Sequence, residues 1–362
     1  MQTENPSRGS RVLLMLLPGL GDALCASPIV RAAAQAGLTI DVLTMLGPVT
    51  EYARALDEID RVIELPLLER PVSALPGLLE LRRAGYAAAF LPFPATRWQY
   101  SAVAAAAGAK RLFTHDYGHS AGAIAKLANA TIVPFGGGHR IFENRRLASA
   151  AGLAESPVSY LVPKSWSGEH VPGLLGMHPG TMKYKGNDAK RLPLDRFIEA
   201  LKNEMRKGRR IRLFAGPYED EDLTHIRAVV DLASVDVVRA PLAQAARALS
   251  ECEVFVANDS GFAHLAAALG VKTITIFGMT DPARINPIGP SFALRPSTCP
   301  PCHDEGMRDF RCVLDIDYRC IRKDVGVTDI SSAVDAAFTP QFAPTPPRES
   351  GPFRLYGTQH AG

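Results

Sequence analysis

The chain predicts an α/β protein of two doubly wound domains facing a cleft, and three observations carry that expectation. Each half alternates strand-like and helix-like stretches. Ala154–Pro172, broken by Pro157, Pro163, Gly168 and Pro172, separates the halves, and 362 residues are more than one compact core accommodates. In the first half the strands read Val12–Leu17, Leu38–Met45, Arg61–Leu65, Tyr86–Leu91 and Lys110–Phe113. In the second they read Leu174–His178, Ile211–Ala215, Val235–Val238, Glu253–Ala257 and Lys272–Phe277. Such alternation builds a parallel sheet covered on both faces, and Rossmann-like sheets bind ligands beyond the carboxyl ends of their strands. Ser27-Pro28 reads as an N-cap with a first-turn proline, and Gly37 as the stop of that helix. The expected boundaries are residues 1–160, 161–338 and a proline-rich tail, 339–362, without periodicity, extended or draped over the other domain.

Composition narrows the function classes. Hydrophobic residues at 47% and charged residues at 21% are those of a soluble globular protein, and a net charge of +3 argues against a nucleic-acid binder. No apolar run approaches the roughly 20 residues of a membrane span. Val12–Leu17 is cut off by Pro18, Gly19, Gly21 and Asp22, too early for a secretory signal. The expected location is cytoplasmic, at most peripheral to the membrane. The basic stretch Lys202–Arg212 reads as a solvated helix end, or as a contact for an anionic membrane surface.

The richest segment is Val254–Phe277, where Asn258-Asp259-Ser260-Gly261 joins a buried strand to an Ala/Leu helix, Phe262–Leu269, stopped by Gly270. Amides at a helix start and the positive end of its dipole suit a diphosphate. Gly261 lets a ligand approach the backbone, and Ser260 adds a hydroxyl. The plainer alternative is that Asp259 or Ser260 is only an N-cap and His264 a half-buried histidine.

D-S-G-F-A-H-L-A-A-A-L-G followed by V-K-T-I-T-I-F-G-M-T-D-P resembles the signature of the heptosyltransferase-type glycosyltransferases, family 9, with Ser260 in place of the usual threonine. The likeness spans Arg11 to Ile330 and is most specific over Asn258–Pro282. It implies a two-domain GT-B transferase: an acceptor-binding first domain, a sugar-nucleotide-binding second domain, and inversion at the sugar carbon. ADP-heptose is the implied donor, and an anionic glycan or glycolipid of the lipopolysaccharide core the implied acceptor. A peripheral contact at the inner face of the cytoplasmic membrane fits that acceptor.

The motifs after the strands acquire roles from the same resemblance. Leu17-Pro18-Gly19-Leu20-Gly21-Asp22 lacks the third glycine of a dinucleotide fingerprint and is interrupted by Pro18, which disfavours a NAD site. It is similar to the family's opening motif, in which the aspartate, here Asp22, serves as general base and Gly21 lies beside the acceptor. A carboxylate can take the proton of a sugar hydroxyl as it attacks; a turn or cap residue is the alternative. His178-Pro179-Gly180-Thr181 and Lys190-Arg191-Leu192-Pro193 resemble the family's H-P-G-S/T and K-x-W-P segments, with Leu192 where tryptophan is usual. That likeness assigns diphosphate contacts to Gly180, Thr181 and the amides of Ser260, Gly261 and Phe262, and neutralisation of the leaving group to Lys190. Asp259 and His264 join the donor site, and Lys183 and Lys185 could share the load. Glu219 stands where a family acid meets the ribose, or is simply a first-turn acid like Asp220, Glu221 and Asp222. Arg97 lies in the loop Pro92–Trp98, read as the acceptor loop, with Lys110-Arg111 as further basic groups or, for Arg97, an exposed helix-start residue.

Asp220-Glu221-Asp222 and Asp315-Ile316-Asp317 match the short D-x-D of metal-dependent transferases, but neither follows a strand, and no catalytic metal or other cofactor is expected. Cys299, Cys302, Cys312 and Cys320 permit a structural zinc, with reduced thiols as the alternative. Cys25 and Cys252 read as small core residues. A nucleotide-sugar epimerase of similar architecture, or a catalytically silent sugar-nucleotide-binding protein, would share the diphosphate site.

Overall fold

Val12, Leu13, Leu14, Met15 and Leu16 are all buried, an uninterrupted apolar run of the kind a strand covered on both faces uses. In the computed structural model, which describes residues 5–67, 70–116, 129–181, 187–303 and 312–351, this run is the first strand of a six-stranded parallel sheet. Its strands are β1 (Arg11–Leu16), β2 (Thr39–Thr44), β3 (Arg61–Glu64), β4 (Ala88–Phe90), β5 (Leu112–His115) and β6 (Ala130–Val133), in the order β3-β2-β1-β4-β5-β6. The accompanying helices are α1 (Leu20–Cys25), α2 (Ser27–Gln35), α3 (Gly47–Arg54), α4 (Leu75–Arg83), α5 (Trp98–Ala106) and α6 (Arg140–Ala150).

A second six-stranded parallel sheet repeats this topology. It consists of β7 (Val171–His178), β8 (Arg210–Phe214), β9 (Val235–Val238), β10 (Cys252–Asn258), β11 (Lys272–Ile276) and β12 (Ser291–Leu294), in the order β12-β11-β10-β7-β8-β9. Around it lie α7 (Leu194–Arg206), α8 (Asp220–Val229), α9 (Leu242–Ser250), α10 (Gly261–Ala268), α11 (Pro282–Ile285), α12 (Arg319–Arg322) and α13 (Val327–Ala337). Counted from its own first strand, each sheet runs 3-2-1-4-5-6. The strand order therefore reverses between β1 and β4 in one sheet and between β7 and β10 in the other, the crevice where such sheets bind ligands.

The chain divides into two compact units, Met1–Pro163 with Arg348–Gly362, and Lys164–Pro347. The end of the chain thus returns to the first unit. His139 N–H donates to the Arg348 carbonyl at 2.7 Å and Gly351 N–H to the Gly136 carbonyl at 3.0 Å. The tail packs so closely that a Cβ on Gly137 would lie 1.8 Å from the Gly351 carbonyl oxygen, and one on Gly138 2.1 Å from that of Glu349. Arg145 adds an ion pair with Glu349 at 3.0 Å.

Three local expectations are corrected. Ser27 is not an N-cap: it lies inside α2, its hydroxyl donating to the Leu24 carbonyl at 2.6 Å and accepting from Leu161 N–H at 2.8 Å. The edge strands β6 and β12 are additions, each of four residues with one fully buried position, too short to register as a pattern. Lys110 and Arg111 precede β5, at the edge of the sheet opposite the ligand-binding one, and Arg111 is spent on Thr131 at 2.8 Å and Asn5 at 2.5 Å. Gly37 and Gly270 do stop their helices with φ of +69° and +85°, a conformation that favours glycine.

Candidate active site

In the second unit, three loops leave β7, β10 and β11 at the point where the strand order reverses, and one side chain ties two of them to the start of α7. Asn258, buried at the end of β10, donates through Nδ2 to the Pro179 carbonyl at 2.7 Å and accepts through Oδ1 from Leu192 N–H at 2.9 Å. This fixes the His178–Thr181 turn and the segment carrying Lys190 against the Asp259-Ser260 turn. Leu192, where tryptophan was expected, is buried beside it.

Asp259 Oδ2 accepts from Lys190 Nζ at 2.9 Å and from Thr280 Oγ1 at 3.0 Å. The carboxylate is nearly buried, so the ammonium offsets a charge that would otherwise be costly there. Asp259 therefore acts first as the mount that holds Lys190. Ser260 is the N-cap of α10, its hydroxyl accepting from Ala263 N–H at 3.4 Å, while His264 N–H reaches the Ser260 carbonyl. Of the four leading amides, those of Ser260, Gly261 and Phe262 are left as the donors a helix start offers to an anion. Thr181, which follows β7, has a buried hydroxyl without a hydrogen-bond partner among the described residues, an orphan that a bound oxygen would satisfy.

Glu219 is buried, and its Oε2 accepts from Gly216 N–H at 2.8 Å. Its other oxygen lies where Gly180 has no side chain: a Cβ there would meet Oε1 at 2.0 Å. Gly180 is thus required by the approach of this carboxylate. His178 Nδ1 lies 3.1 Å from the Phe214 carbonyl, and its ring centroid 5.0 Å from that of Phe262. Burial pushes its pKa below the usual imidazole range, so the ring is neutral. His264 is buried within α10. Lys183 and Lys185 lie outside the described residues.

In the first unit, Asp22 sits in the first turn of α1, directly after β1 and beside Gly21. Its Oδ1 is 2.5 Å from Arg140 Nη1, at the start of α6. Asn144, one turn further along α6 and fully buried, accepts from Phe93 N–H at 2.8 Å and donates to the carbonyls of Phe93 at 3.2 Å and Cys25 at 3.0 Å. It thereby fixes the loop after β4 relative to the helix carrying Asp22. Arg97, half-buried, is the N-cap residue of α5 at the far end of that loop.

The alternative metal motifs are spoken for. Asp222 pairs with Arg191, and Asp220 with Arg239 at 2.7 Å; Asp317 pairs with Arg322. The thiols of Cys302 and Cys320 are pushed up, the latter to about 11, by burial first; Cys299 and Cys312 raise both further, and Cys302 adds to the shift of Cys320. The four cysteines are thus neighbours, although no group of three or more ligands is arranged to hold a metal among the described residues. Burial holds the Cys252 thiol at about 12.

Sequence reading missed four residues here. Thr280 was within reach of it, because it follows the carboxyl end of β11. Asn258 was quoted only as part of a turn, and Asn144 sits unmarked within α6. Arg140 carries no motif and meets Asp22 across 118 residues of chain.

Two parallel six-stranded sheets, each with polar groups gathered where its strand order reverses, are the architecture of the GT-B class. The chain is similar over 91% of its length to 98% of the solved E. coli ADP-heptose lipopolysaccharide heptosyltransferase II, at 20% identity with a TM-score of 0.67. A family 9 glycosyltransferase from Veillonella parvula aligns with 92% of the chain and 99% of its own, at 17% identity and a TM-score of 0.71. E. coli heptosyltransferase WaaC, solved with ADP, aligns with 90% and 99%, at 18% identity and 0.68. At these identities the likeness is one of fold. Comparison with curated protein sequences gives no match. The family model described as glycosyltransferase family 9 (heptosyltransferase) matches residues 100–308, more than half of the chain, and the chain belongs to that family. It is a glycosyltransferase.

Proposed function

We propose that the enzyme is an inverting transferase that moves heptose from ADP-heptose to an anionic glycan or glycolipid of the lipopolysaccharide-core type. The observation that carries the donor half is the Asp259-mounted Lys190 beside the start of α10 and the orphaned Thr181 hydroxyl. A preformed cation, three amides and an unsatisfied hydroxyl suit a diphosphate that gains charge as it departs. The E. coli structures with ADP and with a fluorinated ADP-heptose support a donor of this kind.

In this reading Asp22 accepts the proton of the acceptor hydroxyl as its oxygen attacks the anomeric carbon. The bond from that carbon to the diphosphate breaks on the opposite face, and configuration inverts. Lys190, Thr181 and the amides of Ser260, Gly261 and Phe262 take up the released charge. Gly180, Glu219 and His264 shape the donor pocket, with Glu219 the candidate ribose contact through the oxygen not used by Gly216. Gly21 and Arg97 face the acceptor, which a glycolipid would present at the inner face of the cytoplasmic membrane. The domain roles follow: acceptor in the first unit, donor in the second. No metal or other cofactor enters any step.

Thermal stabilisation against a panel of nucleotide sugars, followed by incubation of the best donor with and without acceptor, tests the reading. Preference for ADP-heptose with acceptor-dependent release of ADP is expected. Interconversion of the sugar nucleotide without acceptor would instead establish an epimerase, and binding without turnover under any acceptor a silent binding protein.

A further inference from the structure

The segment Arg70–Arg83, R-P-V-S-A-L-P-G-L-L-E-L-R-R, holds more apolar side chains than the core of the first unit uses. A 3-10 turn, Pro71–Ala74, runs directly into α4. Ala74 and Leu81 are buried, and Leu78 packs on the same core cluster, so one face seats the helix. Leu75 and Leu79, four residues apart and therefore on one side of the helix, are 54% and 56% exposed, and Val72 in the preceding turn is 76% exposed. Pro76 is exposed beside them. Three large apolar side chains raised together on a short amphipathic element are more than scattered surface residues.

Among the described residues, exposed arginines flank this face. Arg70 precedes it, and Arg82 and Arg83 close it, all exposed. The helix carries a single acid, Glu80, and Arg61 Nη2 offsets it at 3.1 Å. Helix α5 packs beside α4 and opens with Trp98, 48% exposed, a side chain suited to the boundary between lipid and water. The basic stretch Lys202–Arg212 is built differently. Lys207 and Arg209 pair with Glu204 and Asp335, and Arg212 with Asp236 and Glu251, so those cations are already matched.

We propose that Val72, Leu75 and Leu79, flanked by Arg70, Arg82 and Arg83, dock the first unit on the surface of a bilayer containing anionic phospholipid. Apolar side chains enter the headgroup boundary, and the guanidinium groups stay at the phosphates, the division of labour of an interfacial helix. The inference rests on the reading of the first unit as the one that binds a lipid-borne acceptor: Arg97, at the end of the proposed acceptor loop, directly precedes Trp98. Docking here would bring that loop to the membrane in which the acceptor is carried.

The test is co-sedimentation of the full chain with phosphatidylcholine vesicles, with and without phosphatidylglycerol, across a salt series. Binding is expected only with phosphatidylglycerol, and weaker at high salt. The triple variant Val72→Ser/Leu75→Ser/Leu79→Ser should lose at least about tenfold in binding. Arg82→Gln/Arg83→Gln should lose about tenfold together with most of the salt dependence. All five positions are exposed, so parent-like circular dichroism is expected of both variants, as is calorimetric binding of ADP. A parent that ignores anionic vesicles, or a triple variant that binds them as the parent does, overturns the proposal. So does sedimentation velocity showing a dimeric parent and a monomeric triple variant, since the face would then be covered by a second copy. Failure of the parent to bind ADP would strike the donor reading and leave the vesicle result standing.

Discussion

Two sheets of identical strand order carry sites of different construction. Where β7 and β10 part, polar groups are locked together before any ligand is present: Asn258 spans two loops, and Asp259 holds Lys190 and Thr280. Where β1 and β4 part, Asn144 fixes the backbone and the Asp22–Arg140 pair supplies charge. A diphosphate is the same in every cycle and rewards rigid preorganisation. Under the proposed function, an acceptor specific to one glycan would leave its recognition to loop side chains such as Arg97, on a scaffold held elsewhere.

The sharpest way to break this comparison is at the base. Asp22→Asn keeps the shape beside Arg140 and removes the proton acceptor, and turnover should fall by roughly 10²–10⁴ with donor affinity nearly unchanged. Unchanged turnover would leave the first unit without a catalytic group. Lys190→Met attacks the other side, removing the cation and stranding Asp259; turnover should drop by on the order of 10² and ADP should bind more weakly. A variant with parental ADP affinity in calorimetry would show that the preformed pair does not serve the donor.

A smaller effect lies in the pH dependence of stability. His115, at the end of β5, is stacked on Phe135 at 5.3 Å, and burial holds its pKa at about 4. In the unfolded chain it would titrate near 6.5, so between these values the unfolded state binds the extra proton. Stability contributed by the neutral ring is complete above 6.5 and is lost as pH falls toward 4, by about 3 kcal/mol. His115→Phe should flatten that slope in denaturant titrations; the same slope in variant and parent would assign it to other groups. Arg97→Ala should raise the acceptor KM by roughly threefold to tenfold and leave donor affinity alone, more so at low salt. Identical acceptor kinetics across a salt series would return Arg97 to the role of a helix-start residue. The smallest expected effect is none: chelators should leave turnover at its initial value, since in the proposed mechanism Lys190 and the backbone do the work of a metal, and elemental analysis of the same sample reports whether Cys299, Cys302, Cys312 and Cys320 hold zinc.

What the sequence disclosed follows the same division. The central strands were legible because burial on both faces leaves apolar runs such as Val12–Leu16 and Val254–Ala257. The edge strands β6 and β12 are half-exposed and four residues long, so neither length nor apolarity marks them. Motif residues adjoining a strand end, among them Asp22, Thr181 and Ser260, could be placed because the turn that holds them is local. Arg140 could not, because its partner lies 118 residues away and only the folded sheet brings them together. Glu219 and Asp259 were recognised as acids of interest, but their bonding to Gly216, Lys190 and Thr280 is a matter of three-dimensional packing.

The return of the tail to Gly136–Gly138 separates the order of synthesis from the order of completion. The second unit is, in effect, an insertion between residues 163 and 348 of the first. On a ribosome the first unit emerges early yet leaves the glycine stretch uncovered until Arg348–Gly351 has followed, by which time the whole second unit has been made. The unit whose elements appear first is therefore the last to be finished.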